Sequence, residues 1–198
     1  MTSSLRSFDQ NSIKTPTALH AVKESRSNSV LNLVVSQGQL QIHTASTRGS
    51  FSIVLSDALR VAGLGSKVLI AEFLKGGVSQ GPNGGVNLCG QLHWLRPDLN
   101  CCITEPAEKY SNQEQFIFKK SISAIWEICK EKLIANTIDR LVLDEIGLAI
   151  NLGYIKEDDL ISTLENRPPS IDVILTGPAI PSGIIAMADQ VTELRGIK

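Results

Sequence analysis

The sequence predicts an α/β domain, a mostly parallel β-sheet with helices on both faces. Three observations predict it. Short apolar runs of strand length alternate along the chain with segments whose apolar residues recur at helical spacing. Several of the strand-like runs, such as KVLIAEF and IDVILTG, are almost continuously apolar, the pattern of strands buried on both faces. The chain has 198 residues, 42% of them apolar, enough for one substantial core in a single domain.

The elements follow in order. Residues 1–28 are rich in Ser, Thr, Asn and charge and are expected to be disordered or to fold onto a partner, with the domain proper beginning at residue 29. VLNLVVS (30–36) is an apolar patch, either a short helix or a strand. QLQIHT reads as a buried strand. SIVLSDALRVAG carries Ile53, Val54, Ala58 and Val61 at helical spacing, with Gly63 and Gly65 as stop signals. KVLIAEF is the next strand. The glycine-rich stretch from 76 to 85 has no helix signal and reads as a loop, either a lid or a plain connection. QLHWL and NCCIT are two strand candidates separated by RPD. Residues 112–135 suit a long amphipathic helix, with Trp126 and Ile128 on its core face. DRLVLDE is a strand ending in two acids, EDDLISTLENR a short helix, IDVILTG a strand, IPSGIIAMADQ a helix and VTELR a last strand.

Composition narrows the function. Nineteen basic and twenty acidic side chains leave a net charge of −1, so there is no basic field of the kind that binds nucleic acid or a polybasic membrane surface. No apolar run reaches the ~18 residues of a membrane span, and MTSSLRSFDQNS lacks the apolar core of a secretory signal. A cytoplasmic protein is expected. Cys89, Cys101, Cys102 and Cys129 are too few for a disulfide scaffold and wrongly spaced for a zinc knuckle, so buried reduced thiols are expected.

Two strand ends stand out. The first runs into HTASTRGSFSIV (43–54), where a phosphate-cradling loop belongs; the other, LVLDE, places Asp144 and Glu145 at a strand terminus. A strand, loop and helix followed later by an apolar strand ending in acids is the layout of phosphate-loop NTPases. There, backbone N–H groups wrap phosphates, a lysine contacts the β/γ oxygens, and a hydroxyl plus an acid hold Mg²⁺. Alone, the acidic strand end is equally well a solvated terminus or a helix cap.

Three ordered blocks extend the pattern. ALRVAGLGSKVLIAEFLKG, LVLDEIGLAINLGYIKEDDLISTLENRP and DVILTGPAIPSGIIAMADQVTELRGIK resemble those of the phosphate-loop ATP:corrinoid (cobalamin) adenosyltransferases, from about Gln39 to Lys198. The resemblance implies a RecA-like phosphate-loop fold and transfer of the 5′-deoxyadenosyl group of ATP to the cobalt of a reduced corrinoid. It further implies Mg-ATP on the loop, a corrinoid beside it, and a homodimer.

The departures from that pattern fall on its chemistry. Where the family loop reads T-G-x-G-K-G-K-T-T, this chain reads Thr44-Ala45-Ser46-Thr47-Arg48-Gly49-Ser50-Phe51-Ser52. Ala45 and Thr47 replace glycines that permit positive φ and close approach to phosphate. Ser50 replaces the phosphate lysine, leaving a neutral donor for a point charge. Phe51 replaces the Mg²⁺-binding hydroxyl, and Ser52 points about 100° away on a helix. Pro178 stands where the family has an arginine after the pair matching Thr176 and Gly177. Between Cys101 and Gln115 only Tyr110 represents the family's aromatic segment.

The favoured expectation is a degenerate phosphate loop on a retained fold: a binding or regulatory homologue that has lost catalysis. Its ligand would be a weakly held nucleotide, a corrinoid or a protein partner. The alternative is a divergent active enzyme in which Arg48 replaces the lysine. Asp144 and Glu145 are the metal candidates if Mg²⁺ is retained. Lys75, Thr176 and Gly177 are candidate ligand contacts, Lys75 being equally an exposed loop lysine. His43 is expected as a strand-end residue, and His93-Trp94 as core.

Overall fold

The computed structural model describes residues 37–49, 51–76 and 84–195. The expectations for residues 1–28 and 30–36, for Ser50 and for most of the glycine-rich loop lie outside them.

Seven strands form one sheet: β1 (Leu40–Ala45), β2 (Val68–Glu72), β3 (Val86–Leu88), β4 (Leu92–Leu95), β5 (Arg140–Asp144), β6 (Asp172–Thr176) and β7 (Gln190–Leu194). Their spatial order is β3-β4-β2-β5-β6-β1-β7. Every pairing is parallel except that of β3 with β4. Five helices connect them: α1 (Ser52–Gly63), α2 (Asn112–Ile134), α3 (Ile146–Asn151), α4 (Glu157–Glu165) and α5 (Ser182–Met187).

The sheet is covered on both faces, unequally. On one, α1 buries Val54, Ala58 and Ala62 against Val68, Ile70, Val142 and Ile174. On the other, α2 to α5 pack Ile122, Trp126, Leu160 and Ile184 among others over Leu69, Leu141, Leu143 and Leu175. Alternate residues of β2 and β5 thus enter opposite cores, which is why those strands read as continuous apolar runs. Helix α2 starts at a reciprocal capping box: the Ser111 hydroxyl accepts the Glu114 N–H, and the Glu114 carboxylate accepts the Ser111 N–H. Arg140, at the start of β5, ties α1 to β6 through Asp57 and Asp172.

Two expectations need correction, and two short elements carried no reading. NCCIT is not a strand. Both edges of β2 are taken by β4 and β5, so this segment makes only an isolated bridge between Cys102 and Lys75, Ile103 being buried and its cysteines exposed. VNL, too short to register as apolar periodicity, forms the antiparallel edge strand β3. IGLAIN, whose acidic predecessor resembled a strand end only, forms α3. Three of the cysteines are not buried: Cys89 lies on the β3–β4 hairpin, and Cys101 and Cys102 on the connection after β4; only Cys129 is enclosed, and burial pushes its thiol pKa up. Ellman's reagent is therefore expected to titrate three thiols of the native protein promptly and the fourth only on unfolding. Four prompt thiols, or one, would contradict this packing.

Candidate functional site at the carboxyl ends of the strands

Among the described residues the buried polar or charged side chains are Glu72, Asp144, Glu145 and Thr176. All four stand at one end of the sheet. Glu72 closes β2 and is in register with Asp144, which closes β5. Thr176 closes β6, the next strand. Burying a carboxylate is costly unless it is paired and hydrogen-bonded, so what surrounds these groups decides what the site can bind.

Each carboxylate has a cation of the chain itself. Arg48, in the loop after β1, reaches across the end of β6 and grips Glu145 with two hydrogen bonds, both 2.8 Å. The same guanidinium donates to the Ile103 carbonyl at 2.8 Å and to that of Leu74 at 3.5 Å. Lys75 donates to Asp144 at 2.6 Å and to Glu72 at 3.4 Å. Arg96 pairs with the second oxygen of Glu72 and stacks over the Trp94 ring. The free oxygen of Asp144 accepts the Thr176 hydroxyl at 2.5 Å, and that hydroxyl accepts the Glu145 N–H at 3.3 Å. Three cations thus stand against three carboxylates in one connected ladder. The hydrogen bond to Glu145 is the main reason Arg48 is held protonated beyond its usual range. Burial works against the Lys75 ammonium, but the Asp144 hydrogen bond and the surrounding carboxylates outweigh it and raise its pKa.

The backbone is shaped to bring these groups together. Glu145 has a left-handed conformation, φ 57°, uncommon outside glycine and a sign of local strain at a site. It is accommodated by Gly177, φ 111°, where a Cβ would come within 2.8 Å of the Glu145 Cα. The Thr176-Gly177 pair is thereby explained as a hydroxyl for Asp144 followed by the one residue that lets the two strand ends meet.

The phosphate-loop segment lies alongside. Thr44 and Ala45 are not loop residues but the last of β1, paired with Glu193 and Leu194 of β7. Ser46, Thr47 and Gly49 are exposed, and Ser52 is the exposed first residue of α1. Phe51 turns inward, 3% exposed, into the core between α1 and the sheet. At the N-terminus of α1 it supplies no side-chain cap.

Lys75 is neither the exposed loop lysine nor a free cation. Of the charged partners, sequence reasoning missed Glu72 and Arg96. Glu72 carried a readable signal, an acid closing an apolar strand just as in LVLDE; nothing marked Arg96. His43 lies on β1 as expected, and burial holds its pKa below the ordinary value against the pull of Asp57. His93 and Trp94 lie on β4, both half-buried.

A Mg²⁺ ion does not fit the two strand-end carboxylates as they stand. Both oxygens of Glu145 are bound to Arg48, and those of Asp144 to Lys75 and Thr176. The position of the metal-binding hydroxyl is an aromatic ring in the core. Among the described residues no group of three or more His, Cys, Asp or Glu side chains is arranged to hold a metal.

Residues 36–198 match the family model of the ATP:corrinoid adenosyltransferase BtuR/CobO/CobP. The chain belongs to this family. It is similar to the corrinoid adenosyltransferase of Escherichia coli (strain K12), 26% identical over 178 residues that cover 89% of this chain and 86% of the relative. The enzyme of that name from Pseudomonas aeruginosa is 24% identical over 184 residues, covering 90% and 88%. Corrinoid adenosyltransferase CobA of Salmonella typhimurium is 28% identical over 163 residues, covering 82% and 79%. The mostly parallel α/β sheet agrees with that membership. No helix among the described residues is long and apolar enough to cross a membrane.

Proposed function

We propose that this chain is a corrinoid adenosyltransferase homologue that has lost adenosyl transfer and acts as a binding or regulatory protein. One observation carries the reading: the cation that would have to replace the loop lysine, Arg48, is spent on Glu145, and the acids that would face magnesium are neutralised from within. An ATP triphosphate approaching residues 46–49 meets no unpaired cation of the ladder. A missing charge-assisted phosphate contact costs on the order of a few kcal/mol, or roughly a hundredfold in binding or rate. The loop lysine and the metal-binding hydroxyl are both replaced, by Ser50 and Phe51, so turnover by the family route is not expected.

What such a site presents is a polar, internally balanced floor at the carboxyl ends of the strands. A corrinoid, or a weakly held nucleotide, is the ligand class this reading favours. Regulation through a protein partner, with residues 1–28 as a docking arm, belongs to the same proposal, as do a cytoplasmic location and a homodimer.

The test is direct. The protein is incubated with Mg-ATP and reduced cobalamin, and adenosylcobalamin is followed by its absorption. Corrinoid binding is measured in parallel by equilibrium dialysis. Binding without adenosylation is expected, unchanged by EDTA. Catalytic formation of adenosylcobalamin that disappears in Arg48→Ala would overturn the proposal in favour of a divergent enzyme.

A further inference from the structure

A polar cavity lies at the other end of the sheet, away from the charge ladder. It has a volume of about 160 Å³ and is lined by Lys67, Asn87, Gln91, His93 and Lys132, with apolar walls that include Leu69 and Ile138. The fold brings these together by register. Asn87 of β3 lies opposite His93 of β4, and His93 lies beside Leu69 of β2; the three side chains therefore share the face that α2 covers. Lys132 enters from the last turn of α2, and Lys67 from the residue before β2. The β3–β4 hairpin closes the rim through Gly90, in a turn where Cys89 and Gly90 have φ angles of 52° and 71°. A non-glycine residue held in the left-handed region keeps this turn tight.

Lys67, Lys119, Lys120, Lys132 and Lys156 form no ion pair among the described residues, and two of them, Lys67 and Lys132, meet at this cavity. Arg48, Arg60, Lys75, Arg96, Lys109, Lys130, Arg140, Arg167 and Arg195 are all in ion pairs. Lys67 and Lys132 have no acidic side-chain partner among the described residues, and no carboxylate lines the cavity. The nearest acid in the hydrogen-bond pattern, Asp139, spends an oxygen on the Lys67 backbone N–H. His93 is held below its ordinary pKa, first by burial and then by the charge of Lys132, as expected of a ring inside a positive field.

We propose that this cavity binds a small tetrahedral dianion: inorganic phosphate, or the phosphoryl end of a phosphate monoester. Two ammonium groups supply charge, and the Asn87 and Gln91 amides and the His93 ring supply neutral donors. The volume accommodates a phosphoryl group while leaving its ester substituent toward solvent. This site is independent of the adenosyltransferase loop and of whether that loop binds ATP.

The His93 ring proton resonances provide the readout, since an anion beside the ring stabilises the imidazolium and raises its pKa. The full chain is titrated with inorganic phosphate, with glycerol 3-phosphate, and with sodium chloride at matched ionic strength, and His93 is followed by NMR. Saturable shifts in roughly the millimolar range and a raised His93 pKa are expected with phosphate. The Lys67→Ala/Lys132→Ala double variant is expected to weaken binding about tenfold or more, with the His43 resonances unchanged as a check on the fold. Glycerol 3-phosphate binding as tightly as phosphate identifies a monoester site; phosphate binding alone identifies a free-anion site. Shifts equalled by chloride, absent with phosphate, or unaffected by the double variant would overturn the proposal.

Discussion

Arg48→Met is expected to destabilise the protein by about 3 kcal/mol, seen as a fall of roughly 8 °C in the unfolding midpoint. The side chain sits in the loop where the family carries its phosphate contacts, so a ligand-binding arginine would be removable at little or no structural cost. Here the substitution strands the Glu145 carboxylate, 1% exposed, without its bidentate partner, and leaves the Ile103 and Leu74 carbonyls one donor short. Removing one member of a buried pair costs far more than the pair contributes, because the remaining charge has lost its solvation twice over. A second variant separates the two effects. Adding Glu145→Gln to Arg48→Met is expected to restore more than half of the lost stability, since the stranded charge is gone. If the single variant melts within 2 °C of the parent, the guanidinium is not anchoring this end of the sheet, and the reading of Arg48 as internally committed fails with it.

Phe51→Ala is expected to be at least as costly, about 3–4 kcal/mol by denaturant titration. Phe51 belongs to the core cluster formed by Val54, Ala58, Val68, Ile70, Val142 and Ile174, and truncating a buried aromatic ring removes its transfer energy and leaves a cavity. The result bears on function as well as stability. Phe51→Thr, which reinstates the hydroxyl of an intact phosphate loop, faces the same cavity and in addition buries a hydroxyl in an apolar cluster. The loop is therefore not one substitution away from a working one. A loss below 1 kcal/mol for Phe51→Ala would mean that the ring is peripheral and the loop more easily restored.

The fold was legible because strands buried on both sides leave a strong mark. KVLIAEF, DRLVLDE and IDVILTG each contain a β-strand, although β5 stops at Asp144 and Glu145 turns into α3 instead of ending the strand, and SIVLSDALRVAG is α1 over its whole length. Legibility failed where an element is too short for periodicity, as in β3 and α3, and where the decision depended on available partners. NCCIT has strand-like residues, yet β2 has no free edge for it. At the strand ends, Asp144, Glu145, Thr176 and Arg48 were all named from the motif and the resemblance, but their relation to one another was not. A sequence shows that an arginine stands in a loop and a glutamate ends a strand; it does not show that they are 2.8 Å apart across β6. Arg96 remained invisible because an arginine after an apolar strand resembles any solvated loop residue.

The four-way grip of Arg48 also governs how this end of the molecule moves. One planar group joins the loop after β1, the end of β2, the connection at 103 and the turn into α3, segments up to 97 residues apart in sequence. Those segments cannot fray separately: releasing any of them means withdrawing the guanidinium from all. Amide protons such as those of Ile103 and Gly76, bonded to the Leu74 and Cys101 carbonyls, should then exchange at a common slow rate, through a single concerted opening rather than independent local ones.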